Sequence, residues 1–470
     1  MKSSELAKLG VPSGEAMRLA GEAIQQVMQR GVKKKNVAKT VRGVVASPEA
    51  HLQHSDFGPL AEFLIRQKED EPEYEAHAPV PYQVWGQDID PNAIQQMDNA
   101  ARLPVAVRGA IMPDAHVGYG LPIGGVLATR KAVIPYAVGV DIACRMKLTV
   151  LDLSADVLKA EPNRLSKVLQ EETHFGKKAF KKRREHDVLD EDWSVTPLVQ
   201  SLKDKAWSQL GTSGGGNHFV EFGELTIGEA YTNEAGHPTN EPNDLGLPPG
   251  IYLALLSHSG SRGAGATIAT HYSKLAAEIQ AHLPKQLRAL AWLDLDSQEG
   301  QEYWSAMELM GRYATANHAC IHRHVARALG AKALATIENH HNFAWLEEDH
   351  GEQVVVHRKG ATPAGEGVLG VIPGSMASPA YVVRGKGSVE SLSSASHGAG
   401  RRFSRRQAKE SFTWSQVRKF LTERDVTLLS AGLDEVPMAY KDIEEVMAAQ
   451  TDLVDIQARF DPKLVRMNDE

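Results

Sequence analysis

The strongest constraint on this chain is a change of pattern near Tyr82. From there onward, short runs rich in apolar and β-branched residues are separated by loops dense in glycine. Such runs predict strands, and the longer periodic segments between them predict helices. Because strands and helices do not alternate regularly, the pattern argues against a doubly wound parallel sheet. It favours an α+β fold with mixed or antiparallel sheets and peripheral helices.

The individual elements follow from the same periodicities. The predicted strands are 105–112, 132–138, 147–151, 251–256, 353–356 and 380–383. The predicted helices are 158–170, 268–282, 302–329 and 441–452. The glycine- and serine-rich loops between them are where backbone can approach a ligand closely.

The first 80 residues differ from the rest, and we predict a small helical extension there. Apolar residues at helical spacing predict a helix at 15–29 and a second at 59–66. The acidic, proline-containing run 68–81 has too few apolar residues to pack, which predicts a linker. Residues 81–470 would form one catalytic domain. The three lysines at 33–35 indicate a solvated turn or, alternatively, a contact with RNA.

The composition is that of an ordinary globular protein, with 470 residues of which 42% are hydrophobic and 24% charged. The two cysteines lie far apart and indicate a reducing compartment. The start lacks the pattern of a secretory signal, and no apolar run is long enough to cross a bilayer. We therefore expect a cytoplasmic protein that does not associate with membranes.

Charge and histidine content narrow the class of function further. The net charge of −7 argues against a surface that binds nucleic acid everywhere, but it allows a local basic groove. Many of the nineteen histidines stand beside glycine, serine or asparagine. That placement is unusual for surface helices and indicates metal or phosphate chemistry.

Five potential metal ligands lie in the glycine-rich loops. Asp141 and Cys144 are three residues apart after a predicted strand, so both side chains can reach one point. His218 follows three consecutive glycines, His258 opens a Ser-Gly-Ser segment, and His341 stands in a His-His-Asn segment. Each histidine alone is more often structural, but together the five groups suit Mn or Zn. Spacing leaves undecided whether the thiolate bridges two cations, as in phosphoryl-transfer sites.

The segment SHGAGR at 396–401 combines an imidazole, unhindered backbone and a guanidinium. Glycine lets backbone amides close on phosphate oxygens, and arginine binds phosphate bidentately. A neutral imidazole at His397 is a competent nucleophile toward an α-phosphate when neighbouring cations withdraw charge. The alternative is a phosphate-binding loop in which His397 only donates a hydrogen bond.

Ten motifs in a fixed order give the chain a resemblance to the RtcB-type RNA ligases. The motifs are MPDAHVGYG (112–120), PIGG (122–125), VGVDIAC (138–144), GNHFVE (216–221), HSGSRG (258–263), HN (341–342), RKGA (358–361), PGSM (373–376), SHGAGR (396–401) and AYKDI (439–443). The resemblance covers residues 84–454 and implies a large single catalytic domain. The N-terminal extension lies outside it.

The resemblance implies a reaction and its cofactors. Family members use GTP and two Mn²⁺ to join RNA ending in a 2′,3′-cyclic phosphate or 3′-phosphate to RNA with a 5′-OH, in tRNA splicing or RNA repair. One ion would be held by Cys144, His258 and His341, and the other by Asp141, Cys144 and His218. The resemblance leaves open whether an activating protein partner is required.

The resemblance also assigns the nucleotide site. His397 would attack the α-phosphate of GTP, and the resulting histidine-bound GMP would activate the RNA 3′ end. Arg262 and Arg401 are predicted phosphate clamps. The residues predicted to bind the nucleotide are Asn217, Glu221, Ser375, His397, Gly398, Ala399, Gly400, Arg401 and Tyr440.

Two departures from the family bear on nucleotide choice. Ala380 stands where members commonly have a serine. Met467 stands where members have the lysine of a Val-Lys-Gly tail, which contacts guanine. Lys463 or Arg466 are the predicted substitutes, and the strictness of the GTP preference is left open. Together with the extension, these departures suggest a divergent member specialised for repair of a cleaved RNA.

The predicted RNA contacts lie in the basic stretch 174–184, which resembles a family region. A run of this kind can bind backbone phosphates, or it can form a solvated face balanced by the acidic residues that follow. Cys320 falls on a helical pattern and is predicted to be core.

Two other functions fit parts of the sequence. A metal-dependent RNA phosphatase or cyclic phosphodiesterase would keep the metal ligands without nucleotide transfer, as the altered tail suggests. A noncatalytic RNA-end-binding repair scaffold would use the extension to recruit a partner. Retention of His397 argues against the scaffold.

Overall fold

The computed structural model describes residues 5–6, 9–12, 14–70, 77–228 and 245–469. The chain forms two compact units, residues 1–75 and 76–470, whereas the sequence placed the division at 80/81. Residues 71–76 of the predicted linker lie outside the described residues. The start of the predicted linker is wrong, since residues 68–70 still belong to a helix.

The first unit is helical and has its own apolar core. Its helices are Glu15–Gln29, Lys34–Ala46 and Gly58–Asp70, with a 3-10 turn at Pro48–His51. The core includes the fully buried Val41, Phe57 and Leu60. The prediction of a turn at 33–35 is wrong for Lys34 and Lys35, which begin the second helix.

The second unit combines helices and strands, which confirms the α+β class. Its helices are Pro91–Ala101, Pro135–Val138, Val157–Ala160, Pro162–Glu172, Pro197–Gln209, Arg262–Ile279, Gln298–Leu329, Arg405–Ser411, Trp414–Thr422 and Ile443–Ala448. Among the helices that the structure describes, none is long and apolar enough to pass through a membrane.

The strands of the described residues are numbered in chain order. They are β1 Tyr82–Val84, β2 Ala106–His116, β3 Ile123–Thr129, β4 Ala132–Val133, β5 Arg145–Leu151, β6 Phe219–Ile227, β7 Gly250–Ser259, β8 Leu293–Asp294, β9 Ala333–His340, β10 Asn342–Asp349, β11 Glu352–Lys359, β12 Ala361–Pro363, β13 Leu369–Pro373, β14 Ala380–Gly385, β15 Ser394–Ser396, β16 Thr427–Ser430 and β17 Val454–Met467.

Two large sheets organise these strands. One has the order β1-β2-β3-β11-β10, and the other has the order β13-β14-β17-β6-β7-β5-β9, with β16 paired to β17. Neighbours are antiparallel except β1 with β2 and β16 with β17. Residues of both sheets, such as Val126 and Tyr381, share one buried core. Two short pairs, β4-β8 and β12-β15, complete the described pairing.

Proline explains two errors in the predicted elements. The predicted strand 132–138 ends after Val133, because Pro135 starts a short helix at its first position. The predicted helix 158–170 is broken before Pro162, since proline removes a backbone donor and constrains the residue ahead of it.

Near the end of the chain, one predicted helix differs from the observed one, and a strand is present that the sequence pattern did not predict. The predicted helix 441–452 is shorter, at Ile443–Ala448, and Asp442 caps it by accepting from the Glu444 amide. Strand β17 follows and contains Pro462, where its register against β6 shifts. Proline at a β-bulge is compatible with a strand, although the same residue argues against one in a sequence pattern.

Candidate active site

Four neighbouring strands of the larger sheet, β6, β7, β5 and β9, carry the predicted metal ligands at the same end of the strands. His218 precedes β6, His258 is the penultimate residue of β7, Cys144 precedes β5, and His341 follows β9. Because each of these strands is antiparallel to the next, the first residues of β5 and β6 lie beside the last residues of β7 and β9. Asp141 joins them from the turn just before Cys144.

The side chains of these residues meet. The Cys144 sulfur lies 3.3 Å from His218 Nε2 and 3.1 Å from His258 Nε2. His258 Nε2 is 3.2 Å from His341 Nε2, and His218 Nε2 is 3.1 Å from Asp141 Oδ2. Two groups of three ligand atoms result, Cys144–His258–His341 and Asp141–Cys144–His218, which share the sulfur.

The spacing of these atoms suits cations. Two nitrogens each about 2.1 Å from a tetrahedral cation stand roughly 3.4 Å apart, close to the His258–His341 separation of 3.2 Å. His258 Nδ1 lies 3.1 Å from the Asn217 carbonyl, so that nitrogen carries the proton and Nε2 presents a lone pair. A sulfur and imidazole lone pairs that face one another fit a metal site.

Burial sets the protonation states of the cluster. Burial lowers the pKa of His258 to about 3 and that of His341 well below its ordinary value. Burial and the nearby Asp141 carboxylate raise the pKa of the Cys144 thiol well above its ordinary value. Binding of a cation would therefore displace a proton from the sulfur and none from these two rings.

Glycine is needed where backbone passes directly behind the ligands. A Cβ at Gly260 would collide with the Asp141 carboxylate, and one at Gly214 would overlap the His218 ring. These contacts explain why the sequence places glycine-rich loops around the cluster, since any larger residue would displace a ligand.

His397 follows β15 and is oriented by Asp114, which lies in β2. His397 Nδ1 donates to Asp114 Oδ2 at 2.7 Å, and the same oxygen accepts from the His397 and Gly398 amides at 3.1 and 3.2 Å. Asp114 has no exposed surface. Because the carboxylate holds the proton on Nδ1, the lone pair of the ring resides on Nε2. Gly400 packs against the Asp114 carbonyl with φ +73°.

The oriented histidine adjoins the ligand cluster. The rings of His341 and His397 have centroids 4.9 Å apart. Both rings, together with Cys144, His218 and His258, line one pocket of about 1050 Å³. A ligand in this pocket can therefore contact the cluster and His397 at once.

All the predicted nucleotide-binding residues line the same pocket. They are Asn217, Glu221, Ser375, His397, Gly398, Ala399, Gly400, Arg401 and Tyr440. Burial raises the pKa of Glu221 well above its ordinary value, so this carboxyl can be protonated and donate a hydrogen bond. The Ser375 hydroxyl lies 2.9 Å from that of Ser378.

The two arginines predicted to clamp phosphate have internal partners. Arg401 donates to Glu435 Oε2 at 2.9 Å and to the Asp434 carbonyl at 2.6 Å, although it borders the pocket. Arg262 donates to Thr212 Oγ1 at 3.1 Å and lies outside the described lining. The phosphate contact at Arg262 therefore stays a prediction.

Met467 lines the pocket wall, and its predicted cationic substitutes turn away. Lys463 pairs with Asp425 at 3.7 Å. Arg466 donates to the carbonyls of Leu169 and Thr173 at 2.6 and 2.9 Å. Successive residues of a strand point to opposite faces, so the neighbour of Met467 cannot share its direction. The prediction of a substitute at either position is wrong.

The basic stretch 174–184 divides into buried and exposed parts. Arg184 is buried and donates to the Gly211 carbonyl at 2.9 Å, while Arg183 pairs with Asp204 at 2.6 Å. Lys181 and Lys182 are exposed. Cys320 is buried on the helix Gln298–Leu329, which confirms its prediction as core.

Three residues of this region had no role in the sequence analysis: His116 and Lys359, which line the pocket, and the buried Asp114. Asp114 orients His397, and His116 lies beside it with a pKa lowered to about 4 by burial. Burial likewise lowers the pKa of Lys359, a pocket residue, to about 7. All three lie in motifs that carried the resemblance, but motif order alone does not indicate which side chains face the pocket.

Fold and pocket together define a class of α+β protein in which a cluster suited to two cations adjoins an oriented histidine. The family model described as "tRNA-splicing ligase RtcB" matches residues 96–196 and 193–468. The chain belongs to the RtcB family. Residues 1–95, which include the whole first unit, precede the match.

Curated relatives of the chain come from bacteria, archaea and eukaryotes. The RNA-splicing ligase RtcB of Escherichia coli (strain K12) is 32% identical over 413 residues, covering 81% of this chain and 95% of the relative. The tRNA-splicing ligase RtcB of Thermococcus kodakarensis is 30% identical, covering 83% and 95%. The RNA-splicing ligase RtcB homolog 1 of Entamoeba dispar is 30% identical, covering 76% and 78%.

Proposed function

We propose that this protein is an RNA ligase that acts in tRNA splicing or RNA repair. It joins a 3′-phosphate or 2′,3′-cyclic phosphate end to a 5′-OH end at the expense of GTP. The observation that carries the proposal is the distance of 4.9 Å between the ring centroids of His397 and His341. His397 is oriented by Asp114, and His341 is one of the proposed metal ligands. A nucleophile held beside a cation site is the arrangement that phosphoryl and nucleotidyl transfer require.

The first step uses the lone pair on His397 Nε2. This nitrogen attacks the α-phosphate of GTP, an N–P bond forms, and the bond to the leaving pyrophosphate breaks. The developing positive charge on the ring is stabilised by Asp114, which accepts from Nδ1 at 2.7 Å. Asp114 also fixes the ring orientation, so that attack requires little reorganisation.

The later steps transfer the guanylate and then release it. An oxygen of the RNA 3′-phosphate attacks the phosphorus held by His397, so that a P–O bond forms and the N–P bond breaks. The 5′-OH of the second RNA then attacks the 3′-phosphate, forms the new phosphodiester and expels GMP. A cyclic phosphate first takes up water to give the 3′-phosphate.

Two Mn²⁺ are the cations we propose for the cluster. Cys144, His258 and His341 would hold one, and Asp141, Cys144 and His218 the other. When bound, such ions withdraw charge from phosphate oxygens and lower the pKa of a hydroxyl nucleophile. The mixed sulfur, nitrogen and oxygen donors favour Mn or Zn over Mg and Ca.

The nucleotide would occupy the part of the pocket lined by Asn217, Glu221, Ser375 and Tyr440. We propose that the base lies against the wall at Met467. A thioether contributes apolar contact but no donor for a base edge. Discrimination of GTP from ATP is therefore expected to be weaker than a buried cationic donor would provide.

Labelling of His397 tests this proposal. Protein incubated with Mn²⁺ and α-³²P-GTP should acquire acid-labile label on histidine, and the His397→Ala variant should acquire none. The same protein should join a 3′-phosphate strand to a 5′-OH strand. Absence of label with each of the four nucleoside triphosphates would reject the ligase mechanism.

A metal-dependent RNA phosphatase or cyclic phosphodiesterase is the second candidate. It is favoured by the apolar Met467 at the pocket and by Lys463 and Arg466 turning away from it. Such an enzyme would open a 2′,3′-cyclic phosphate without joining, and it would retain this activity as His397→Ala. A ligase would lose joining in the same variant.

A noncatalytic RNA-end-binding scaffold is disfavoured by the hydrogen bond from His397 to Asp114, because binding alone does not need a fixed ring tautomer. The requirement for an activating protein partner and the cytoplasmic location remain predictions.

A further inference from the structure

Tyr119 is an exposed aromatic residue at the mouth of the pocket. Its exposed fraction is 77%, the highest among the exposed large hydrophobic residues that the structure describes. Val117 and Val140, also exposed, line the same pocket. An isolated exposed apolar side chain needs no explanation, but a group of them around one pocket indicates a surface that a ligand covers.

The backbone that carries Tyr119 is held firmly although its ring is exposed. The Gln96 carboxamide bonds both sides of Gly118, donating to its carbonyl at 2.6 Å and accepting from its amide at 2.9 Å. The buried Lys359 ammonium donates to the Tyr119 carbonyl. At Gly120, φ is +71° and a Cβ would press on the Ala289 carbonyl. Because the backbone is already fixed, only the side-chain torsions of Tyr119 remain to be ordered when a ligand binds.

Exposed positive charge lies on the same pocket. The side chains of Arg402 and Arg406 are 51% and 87% exposed, and both border the pocket with Tyr119. Arg402 is 3.9 Å from Asp88 and Arg406 is 2.8 Å from Glu410, exposed pairs that contribute little and exchange readily for phosphate. An aromatic ring combined with exposed guanidinium groups is the composition of a single-stranded nucleic-acid site.

We propose that Tyr119 is a base-stacking platform for the RNA strand whose end enters the pocket. This inference rests on the ligase function proposed above. A terminal nucleobase stacks on the ring, while Arg402 and Arg406 contact backbone phosphates on the approach to His397. Stacking tolerates any base, so the platform positions an RNA end without selecting its sequence.

Substitutions of Tyr119 distinguish base stacking on the ring from nonspecific apolar contact. Tyr119→Phe keeps the π face and should retain wild-type RNA affinity. Tyr119→Leu keeps apolar volume but loses the π face, and Tyr119→Ala loses both. Loss of a stacked base at about 1–3 kcal/mol corresponds to a weakening of roughly 5- to 150-fold.

Binding is measured by fluorescence anisotropy with an internally labelled single-stranded RNA that ends in a 3′-phosphate, without nucleotide. We expect a 5- to 150-fold weaker affinity for Tyr119→Ala, a similar loss for Tyr119→Leu, and no loss for Tyr119→Phe. Ile251→Ala is the matched control. Ile251 is 58% exposed near the start of β7, the end opposite His258, and lies outside the described pocket lining.

Each other outcome has a defined meaning. Wild-type affinity in Tyr119→Leu would overturn stacking, and wild-type affinity in Tyr119→Ala would overturn the platform. Retained RNA binding together with loss of α-³²P-GTP labelling in Tyr119→Ala would assign the ring to the nucleotide and reject the inference. If wild-type protein neither binds this RNA nor acquires label, the proposed function itself fails.

Discussion

Two groups of buried histidines among the described residues of the second unit differ in what their rings face. At the strand ends, His258 Nε2 is 3.1 Å from the Cys144 sulfur and 3.2 Å from His341 Nε2. His218 Nε2 lies 3.1 Å from the Asp141 carboxylate. These nitrogens therefore face other atoms of the kinds that bind metal ions.

The second group lies on the helix Gln298–Leu329. His322 is bonded through both nitrogens, with Thr149 Oγ1 at 2.7 Å and Ser257 Oγ at 2.8 Å. His318 Nδ1 shares the same Ser257 hydroxyl at 2.8 Å. Hydroxyls satisfy a neutral ring by donating to one nitrogen and accepting from the other, so the His322 ring needs no cation. His318 Nε2 is buried without a hydrogen-bond partner among the described residues.

The comparison shows that burial and a lowered pKa do not identify a metal ligand. Burial lowers the pKa of His322 as well as that of His341. What separates the groups is the partner of each nitrogen. A single thiol proton can satisfy only one of the lone pairs that converge on Cys144, whereas a cation can bind several of them. Four predictions test this distinction, in order of decreasing effect.

Removal of the shared sulfur should have the largest effect. Cys144→Ser weakens both cation sites, because the thiolate belongs to each ligand group. We expect Mn²⁺ content by mass spectrometry to fall toward zero and ligation to fall by more than about 1000-fold, as several kcal/mol of charge stabilisation is lost. Full metal content in this variant would contradict the assignment of the cluster.

Asp114→Asn should impair the reaction of His397 with GTP without impairing cation binding. The amide cannot hold the Nδ1 proton of His397 as a carboxylate does, so labelling by α-³²P-GTP should slow by about 100-fold or more. Metal content should stay at the wild-type level, because Asp114 belongs to neither ligand group. Loss of metal in this variant would mean that the two parts of the pocket are not separable.

The pH dependence of cation binding reports which group releases a proton. The pKa of Cys144 is raised by burial, whereas the pKa of His258 is lowered to about 3, so near neutral pH the thiol is protonated and the His258 ring is neutral. Affinity for Mn²⁺ at the sulfur should therefore fall about tenfold per unit as pH decreases from 8 to 5.

Calorimetry in buffers of different ionisation enthalpy counts the released protons directly. Release of about zero protons on binding of the first Mn²⁺ would show that the sulfur is already a thiolate. A value near two would show that a histidine also gives up a proton.

His322→Asn should have the smallest effect on the site. The change leaves Thr149 or Ser257 without a full partner and should lower the free energy of unfolding by about 1–3 kcal/mol, measured by urea denaturation. Its Mn²⁺ content should remain that of the wild-type protein. A loss of metal as large as in Cys144→Ser would remove the distinction between the two groups.

Much of the fold class and the composition of the site could be predicted from local pattern. Short apolar runs with glycine-rich loops predicted α+β, because strand and helix periods are local properties. The helix 15–29 was predicted with its observed bounds, and the predicted set of Asp141, Cys144 and three histidines is the set that meets. Errors arose at prolines such as Pro135 and Pro162, where one residue overrides periodicity.

The sequence by itself determined which ligand types are available and where glycine lets backbone pass behind them. Tertiary structure alone decided that Asp114 holds His397, a contact across 283 residues, and that Lys463 and Arg466 turn away from Met467. Tertiary structure also decided that the Arg401 guanidinium donates to the Glu435 carboxylate. The physical reason is that strand pairing and register act between distant segments, and a shift of one residue reverses the direction of every side chain.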